Sequence, residues 1–213
     1  MLLAGATGLV GGACLRLLAQ DDTVAQVRAL VRRPLPDAGA YRARVVQCMA
    51  DFEALDRHPE WFRCDQVICA LGTTMRTAGS SVAFRRVDYD YPLTIAKLAL
   101  TQGASHFLLV SSMGADLQSA NFYYRVKGEL EEALRALGYA SLTIARPSLL
   151  LGKRAEWRWG EELGRRMGRL LPGCWRPVSA VQVAAALIAA AGSSEVGVRL
   201  LENAAIRKMA LPA

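Results

Sequence analysis

The chain has little histidine, little lysine and no spacing suited to a metal. Its two histidines, His58 and His106, stand apart, with no cluster of His, Asp or Glu beside either. The five cysteines, Cys14, Cys48, Cys64, Cys69 and Cys174, include no C-x-x-C pair. An odd count without paired spacing argues against a disulfide framework and a zinc site. No metal is therefore expected, and reduced thiols fit a cytoplasmic protein. Cys14 and Cys69 lie in apolar segments and read as core. No apolar run is long enough to span a bilayer, so no membrane partner is expected. The apolar opening from Met1 to Val10 lacks a basic region and a small-residue cleavage site, so it reads as a first strand and not as a signal. That strand is short enough to expect that the natural chain begins a few residues earlier.

Arginine is what the chain has in excess. The net charge is +7, yet the only lysines are Lys97, Lys127, Lys153 and Lys208. The arginines are scattered, without the basic run and interleaved aromatics of a nucleic-acid groove. A solvated basic surface follows, and no nucleic-acid partner is expected. The remaining reading is a preference for an anionic ligand such as a phosphorylated cofactor. With 213 residues, 53% hydrophobic and 21% charged, the chain fits one globular domain, 1–213, with a sizeable core.

Strand-like and helix-like segments alternate. Strands are expected at 2–4, 27–31, 41–48, 66–70, 106–110, 142–145 and 198–201. Helical patterns cover 11–20, 84–102, 122–137 and 181–191, with one turn at 52–57. Pro92 should kink the long helix or mark its real start, and Gly103 and Gly138 are natural stops. Strands alternating with crossover helices predict an α/β fold, a doubly wound parallel sheet with helices on both faces. Residues 147–178 differ in character, with Trp157, Trp159 and Trp175 and a basic run at Arg165-Arg166. They are expected to form a small C-terminal cap on the substrate side.

The chain opens on Gly5-Ala6-Thr7-Gly8-Leu9-Val10-Gly11, between a strand and a helix. Glycines there let backbone N–H groups approach a phosphate, and the helix N-terminus adds its positive dipole end. In this context the pattern is a dinucleotide fingerprint. An acid at the end of the second strand would hold the ribose 2′-OH of NAD. The chain has Arg32 and Arg33 instead. A guanidinium grips a 2′-phosphate by a charge-assisted fork, so NADP (NADPH) is expected over NAD. Asp51 follows the third strand and suits the adenine amino group. Ala70, Leu71, Gly72 and Thr73 follow the fourth strand and should line the pyrophosphate and ribose. Pro147, where the cap begins, joins the cofactor set.

Tyr123 and Lys127 stand four apart on one helix, so they share a face. With so few lysines, a chance Tyr-x-x-x-Lys is expected only about 0.1 times in this composition. A phenol with a pKa of about 10 is a poor acid–base at neutral pH. A neighbouring ammonium favours its phenolate and corrects that. The same lysine can hydrogen-bond the nicotinamide ribose, while Tyr123 gives a proton to a carbonyl as hydride arrives. Ser111 or Ser112, at the preceding strand end, would polarise that carbonyl.

The glycine loop, Leu109-Val110-Ser111-Ser112 and Tyr123-Tyr124-Arg125-Val126-Lys127 resemble the atypical or extended short-chain dehydrogenases/reductases. Leu71-Gly72-Thr73-Thr74, Arg86-Val87-Asp88, Ser111-Ser112-Met113-Gly114-Ala115-Asp116, Val126-Lys127-Gly128-Glu129 and 146–152 are similar, more narrowly, to the Tat-interacting oxidoreductase-like branch. The resemblance covers nearly the whole chain. It implies a Rossmann-type fold, an NADP(H) site and a Ser-Tyr-Lys set with Tyr123 and Lys127 in place. Two departures stand out. Many extended members carry the serine one place further along, where this chain has Met113, and many carry an asparagine where it has Asp88.

The expected function is a cytoplasmic NADP(H)-dependent oxidoreductase acting on a small carbonyl or alcohol, as a monomer or homodimer. The alternative is an NADPH-binding regulator or adaptor with a protein partner and no working serine. Substrate is expected between 73–80 and 147–178, near Ser148 and the three tryptophans. Arg76, Arg85 and Arg86 are candidates for attracting an anionic substrate.

Overall fold

Alternating strands and helices produce one continuous parallel sheet. The structure, a computed structural model, describes residues 1–35, 44–151 and 176–209. Within them the main sheet has seven strands in the order β3-β2-β1-β4-β5-β6-β9. These are β1 (Leu2–Ala4), β2 (Val27–Val31), β3 (Val45–Met49), β4 (Gln66–Cys69), β5 (His106–Val110), β6 (Ser141–Arg146) and β9 (Gly197–Glu202). Every neighbouring pair runs parallel. The order reverses between β1 and β4, the switch point of a Rossmann-type sheet.

Because side chains alternate across a strand, each strand feeds two cores. Leu3 packs on one face with Cys14, Leu15 and Leu18 of α1 (Leu9–Gln20) and with Val183 and Leu187 of α6 (Ala180–Ala191). Leu2 and Ala4 pack on the other face with Ile95 and Ala99 of α4 (Tyr91–Thr101) and with Leu130 and Leu134 of α5 (Phe122–Ala136). Phe62, Phe84 and Phe107 are fully buried. Each contributes on the order of 2–3 kcal/mol by leaving water. Cys14 and Cys69 are core residues, as expected.

The expected long helix at 84–102 is in fact three joined pieces. A short α3 (Ser81–Arg85) runs into a π turn (Arg86–Asp90), which runs into α4. Pro92 supplies the physical reason. It has no N–H to give the carbonyl of Asp88, the α-helical partner four residues back. The backbone widens just before it, and the Tyr91 N–H bonds the Arg86 carbonyl five residues back. Gly103 and Gly138 adopt positive φ at the helix ends, as the stop signals predicted.

Smaller elements escaped the sequence pattern. The loop at 72–81 contains α2 (Met75–Ala78), capped by the Thr74 hydroxyl. The polar turn at 52–57 is a 3-10 turn at Leu55–Arg57, and a second follows at Pro59–Phe62. A final helix, α7 (Asn203–Lys208), follows β9. The expected cap falls largely on 152–175, outside the described residues, as do Trp157, Trp159, Trp175 and Cys174. Its described flanks pair as β7 (Leu150–Leu151) and β8 (Val178–Ser179).

Candidate active site

The parallel sheet delivers the expected site residues to a single edge. The glycine turn follows β1, Arg32 and Arg33 follow β2, and Asp51 follows β3. Ala70–Thr73 follows β4, Ser111 and Ser112 follow β5, and Pro147 follows β6. Tyr123 and Lys127 sit in the first turns of α5, which starts from the same edge and is capped by the Asn121 side chain. The strand ladder continues past β5 and β6: Ser111 N–H bonds Ala145 O at 2.8 Å, and Met113 N–H bonds Pro147 O at 2.9 Å. This holds the serine loop beside buried Pro147.

The glycine turn is a cradle that a side chain would fill. Gly5 has φ +88°, and a Cβ there would stand 2.5 Å from the Ala70 carbonyl oxygen. A Cβ on Gly11 would stand 2.0 Å from the Gly5 oxygen. Such distances admit no side chain, so α1 begins against bare backbone. Gly8 caps α1 with no side-chain hydrogen bond. Gly12 N–H makes the first bond back, to Gly8 O at 2.8 Å. The N–H groups of Leu9, Val10 and Gly11 therefore have no acceptor inside the helix, a donor set that fits a phosphate. Ala6 is buried and Thr7 exposed. Ala70 N–H bonds Ala4 O at 2.9 Å, which ties the two loops that face each other across the switch point.

Arg32 and Arg33 are exposed at the end of β2. Asp51 is also exposed, and its Oδ1 accepts the Glu53 N–H at 3.0 Å. Glu53 in turn accepts from the Tyr91 hydroxyl at 2.5 Å and pairs with Arg86 at 3.3 Å. Burial and then Glu53 push the Tyr91 phenol up to about 12, against the pull of Arg86 and Arg32. This end of the edge is thus a charged cluster, with Arg32 near enough to act on Tyr91. Arg86 belongs to it. Arg85 pairs instead with Glu129 and lies over the Tyr89 ring at 4.2 Å. Arg76 is exposed on α2.

At the other end, Lys127 is 4% exposed and Asp88 is 0% exposed, with Nζ 2.8 Å from Oδ1. Asp88 Oδ2 accepts the Thr73 N–H at 2.8 Å. Burial works against the charge on Lys127, but Asp88 and Tyr123 outweigh it and hold the ammonium above its ordinary range. Tyr123 is half-buried, with its ring 5.5 Å from Phe84 and 5.3 Å from Tyr124. Burial pushes the neighbouring Cys69 thiol up to about 11, which leaves it an inert core residue and no nucleophile.

The two serines differ. Ser111 is buried, and its hydroxyl donates to Glu131, which also takes two hydrogen bonds from Arg146 Nε and one from Nη2. Ser112 is half-buried, and its hydroxyl donates to the Met113 carbonyl at 3.2 Å. Ser148 points elsewhere: its hydroxyl donates to Arg176 O at 2.8 Å, and its N–H bonds buried Asn203.

A family model for NAD(P)H-binding proteins matches residues 5–194. The chain belongs to the NAD(P)H-binding family. Rat protein HTATIP2 is 37% identical over 213 residues, covering 97% of this chain and 87% of the relative. The mitochondrial protein fmp52 of Emericella nidulans is 35% identical over 172 residues, covering 76% of this chain and 72% of its own. Among solved structures, MoeE5 in complex with UDP-glucose and NAD superposes with a TM-score of 0.74 at 18% identity, covering 94% of this chain and 74% of that one. A UDP-glucose 4-epimerase of Thermotoga maritima gives 0.70 at 16% identity, covering 94% and 76%. The likeness to solved structures bears out the Rossmann-type fold. The HTATIP2 match bears out the resemblance to the Tat-interacting branch of the short-chain dehydrogenases/reductases.

For a member of this family, the glycine cradle and the unpaired N–H groups of α1 fit the cofactor's pyrophosphate. Sequence reasoning missed the partners of the charged residues. Nothing local signals that Glu131 meets Ser111 and Arg146, or that Asn203 meets Ser148, because those pairs are made across the sheet edge. Asp88 was visible as a departure, but its pairing with Lys127 was not. Among the described residues no group of acids, cysteines and histidines could hold a metal, and no helix is long and apolar enough to cross a membrane.

Proposed function

We propose that the chain is an NADP(H)-dependent oxidoreductase acting on a small carbonyl or alcohol. The observation that carries this reading is Tyr123 beside buried, charged Lys127 on one face of α5, at the sheet edge that holds the glycine cradle. When bound, the nicotinamide supplies or accepts the hydride. Tyr123 gives its proton to the carbonyl oxygen in reduction and takes one back in oxidation. Lys127 offsets negative charge as it develops on the phenol oxygen and donates to the nicotinamide ribose. Ser112 polarises the carbonyl, and Ser111 supports it from the buried Glu131 network. Arg32 and Arg33 take the 2′-phosphate, Asp51 the adenine amino group, and Ala70–Thr73 the pyrophosphate and ribose, with Pro147 in the same cofactor set. Free thiols at Cys14, Cys48, Cys64 and Cys69 support a reducing compartment, which we take to be the cytoplasm.

Melting with NADPH, NADH or neither tests the cofactor. A ligand at a hundred times its Kd adds about 2.7 kcal/mol of stability. A larger rise with NADPH is expected. Equal rises would overturn the roles of Arg32 and Arg33, and no rise would overturn the cofactor reading. Replacing Tyr123→Phe should cut carbonyl reduction by about 100-fold or more while NADPH binding is kept. Turnover at the wild-type rate would remove Tyr123 from the chemistry.

A second reading is favoured by one observation. The Ser112 hydroxyl is turned to its own neighbour's carbonyl, and by the family resemblance the serine of many extended members falls one place further along, at Met113. An NADPH-binding regulator with a protein partner needs no working serine. It predicts cofactor binding without turnover, in the wild type and in Tyr123→Phe alike.

A further inference from the structure

Asp88 and Lys127 form an ion pair buried from solvent. A Cβ on Gly72 would stand 3.4 Å from Asp88 Oδ1 and 3.8 Å from Lys127 Nζ, so the pair lies directly against the loop after β4. Thr73 in that loop gives its N–H to the other Asp88 oxygen. Tyr123 is close enough for its charge to bear on Lys127. One carboxylate therefore fixes three things: the ammonium, the loop after β4 and the net charge beneath them. The π turn brings Asp88 there.

Net charge matters at this place because the cofactor's two redox states differ in charge. The oxidised nicotinamide ring carries a positive charge that the reduced ring lacks. A lone buried ammonium would repel the first and leave the second unaffected. Burial also removes the salt screening that would weaken the effect at a surface.

We propose that Asp88 is a positioning and charge-matching residue: by offsetting part of the charge of Lys127, it lowers the penalty for holding oxidised NADP⁺ and so sets the redox balance of the bound cofactor. The proposal rests on the NADP(H) reading above. In that reading the rest of the oxidoreductase set binds, shapes and protonates, and Asp88 keeps both halves of the cycle open.

The test needs no substrate. Dissociation constants for NADP⁺ and NADPH are measured by tryptophan fluorescence at pH 6.5 for the wild type, Asp88→Asn and the double variant Asp88→Asn/Lys127→Met, after melts confirm folding. In Asp88→Asn the ratio of the NADP⁺ to the NADPH constant should rise about tenfold, as expected for one unmatched charge within several ångströms. The double variant should return the ratio to the wild-type value. A purely structural role would weaken both cofactors by one factor and leave the ratio unchanged, which would overturn the proposal. If Asp88→Asn does not fold, Lys127→Met at pH 9 carries the test. The ratio should then fall below wild type, and an unchanged ratio overturns the proposal. Wild-type protein that binds neither cofactor would overturn the NADP(H) reading itself, so the two failures are distinguishable.

Discussion

His106 shows how one buried polar residue can govern the response to acid. It is 5% exposed on β5, and its Nε2 lies 2.9 Å from Thr143 Oγ1 on β6. Burial, and then the charge of Arg199, hold the imidazole below its ordinary value of 6.5. The folded protein therefore binds fewer protons than the unfolded chain in mildly acid solution. Stability from this residue is complete above pH 6.5 and declines as pH falls from there toward the folded value. Melting temperatures between pH 7.5 and 5 should fall, and the fall should be smaller in His106→Gln. Identical acid slopes in the two proteins would rule His106 out. The sequence marks this histidine as isolated. It does not show the threonine on the next strand that keeps it.

Among elements, the β1–α1 turn has the least room for change. Its glycines are legible in sequence, and the structure adds the distances. A methyl on Gly11 would sit 2.0 Å from the Gly5 oxygen, within backbone that has no side chain to move aside. Gly11→Ala should therefore cost about 1–3 kcal/mol, in the range of overpacking, and lift α1 off the turn. Urea unfolding measures the cost. NADPH titration should show binding lost out of proportion to stability, because the displaced donors are those of α1. A Gly11→Ala protein with unaltered stability would mean that the turn relaxes freely. By contrast, the helix read at 84–102 was only partly legible. Pro92 announced an interruption, but not that the backbone would widen ahead of it instead of breaking.

At the scale of the whole molecule, the sheet was the most legible feature. Strand positions at 2–4, 27–31 and 106–110 agree with β1, β2 and β5, and the others differ by a few residues at their ends. Buried parallel strands read as apolar runs, and this chain has several. The edge on which the site gathers followed from that topology, since parallel strands all point their C-terminal ends one way. Side-chain partners were illegible for a matching reason. Asp88 and Lys127, and Tyr91 and Glu53, are brought together from different crossovers, while Ser111 and Glu131 meet from the loop and the helix of one crossover, 20 residues apart. No periodicity within one segment records such a meeting.

The π turn at Arg86–Asp90 has a consequence for chain length. Each residue of an α-helix advances about 100° around its axis, so one additional residue in a turn rotates everything on one side of it relative to the other. Asp88 lies inside that turn and meets Lys127, while Ile95 and Ala96 beyond it meet the core. Both contacts depend on the same phase offset. Deleting one residue between Arg86 and Asp90 would set the two faces out of step, with Pro92 still in place. In this stretch, the number of residues is constrained as tightly as their identity.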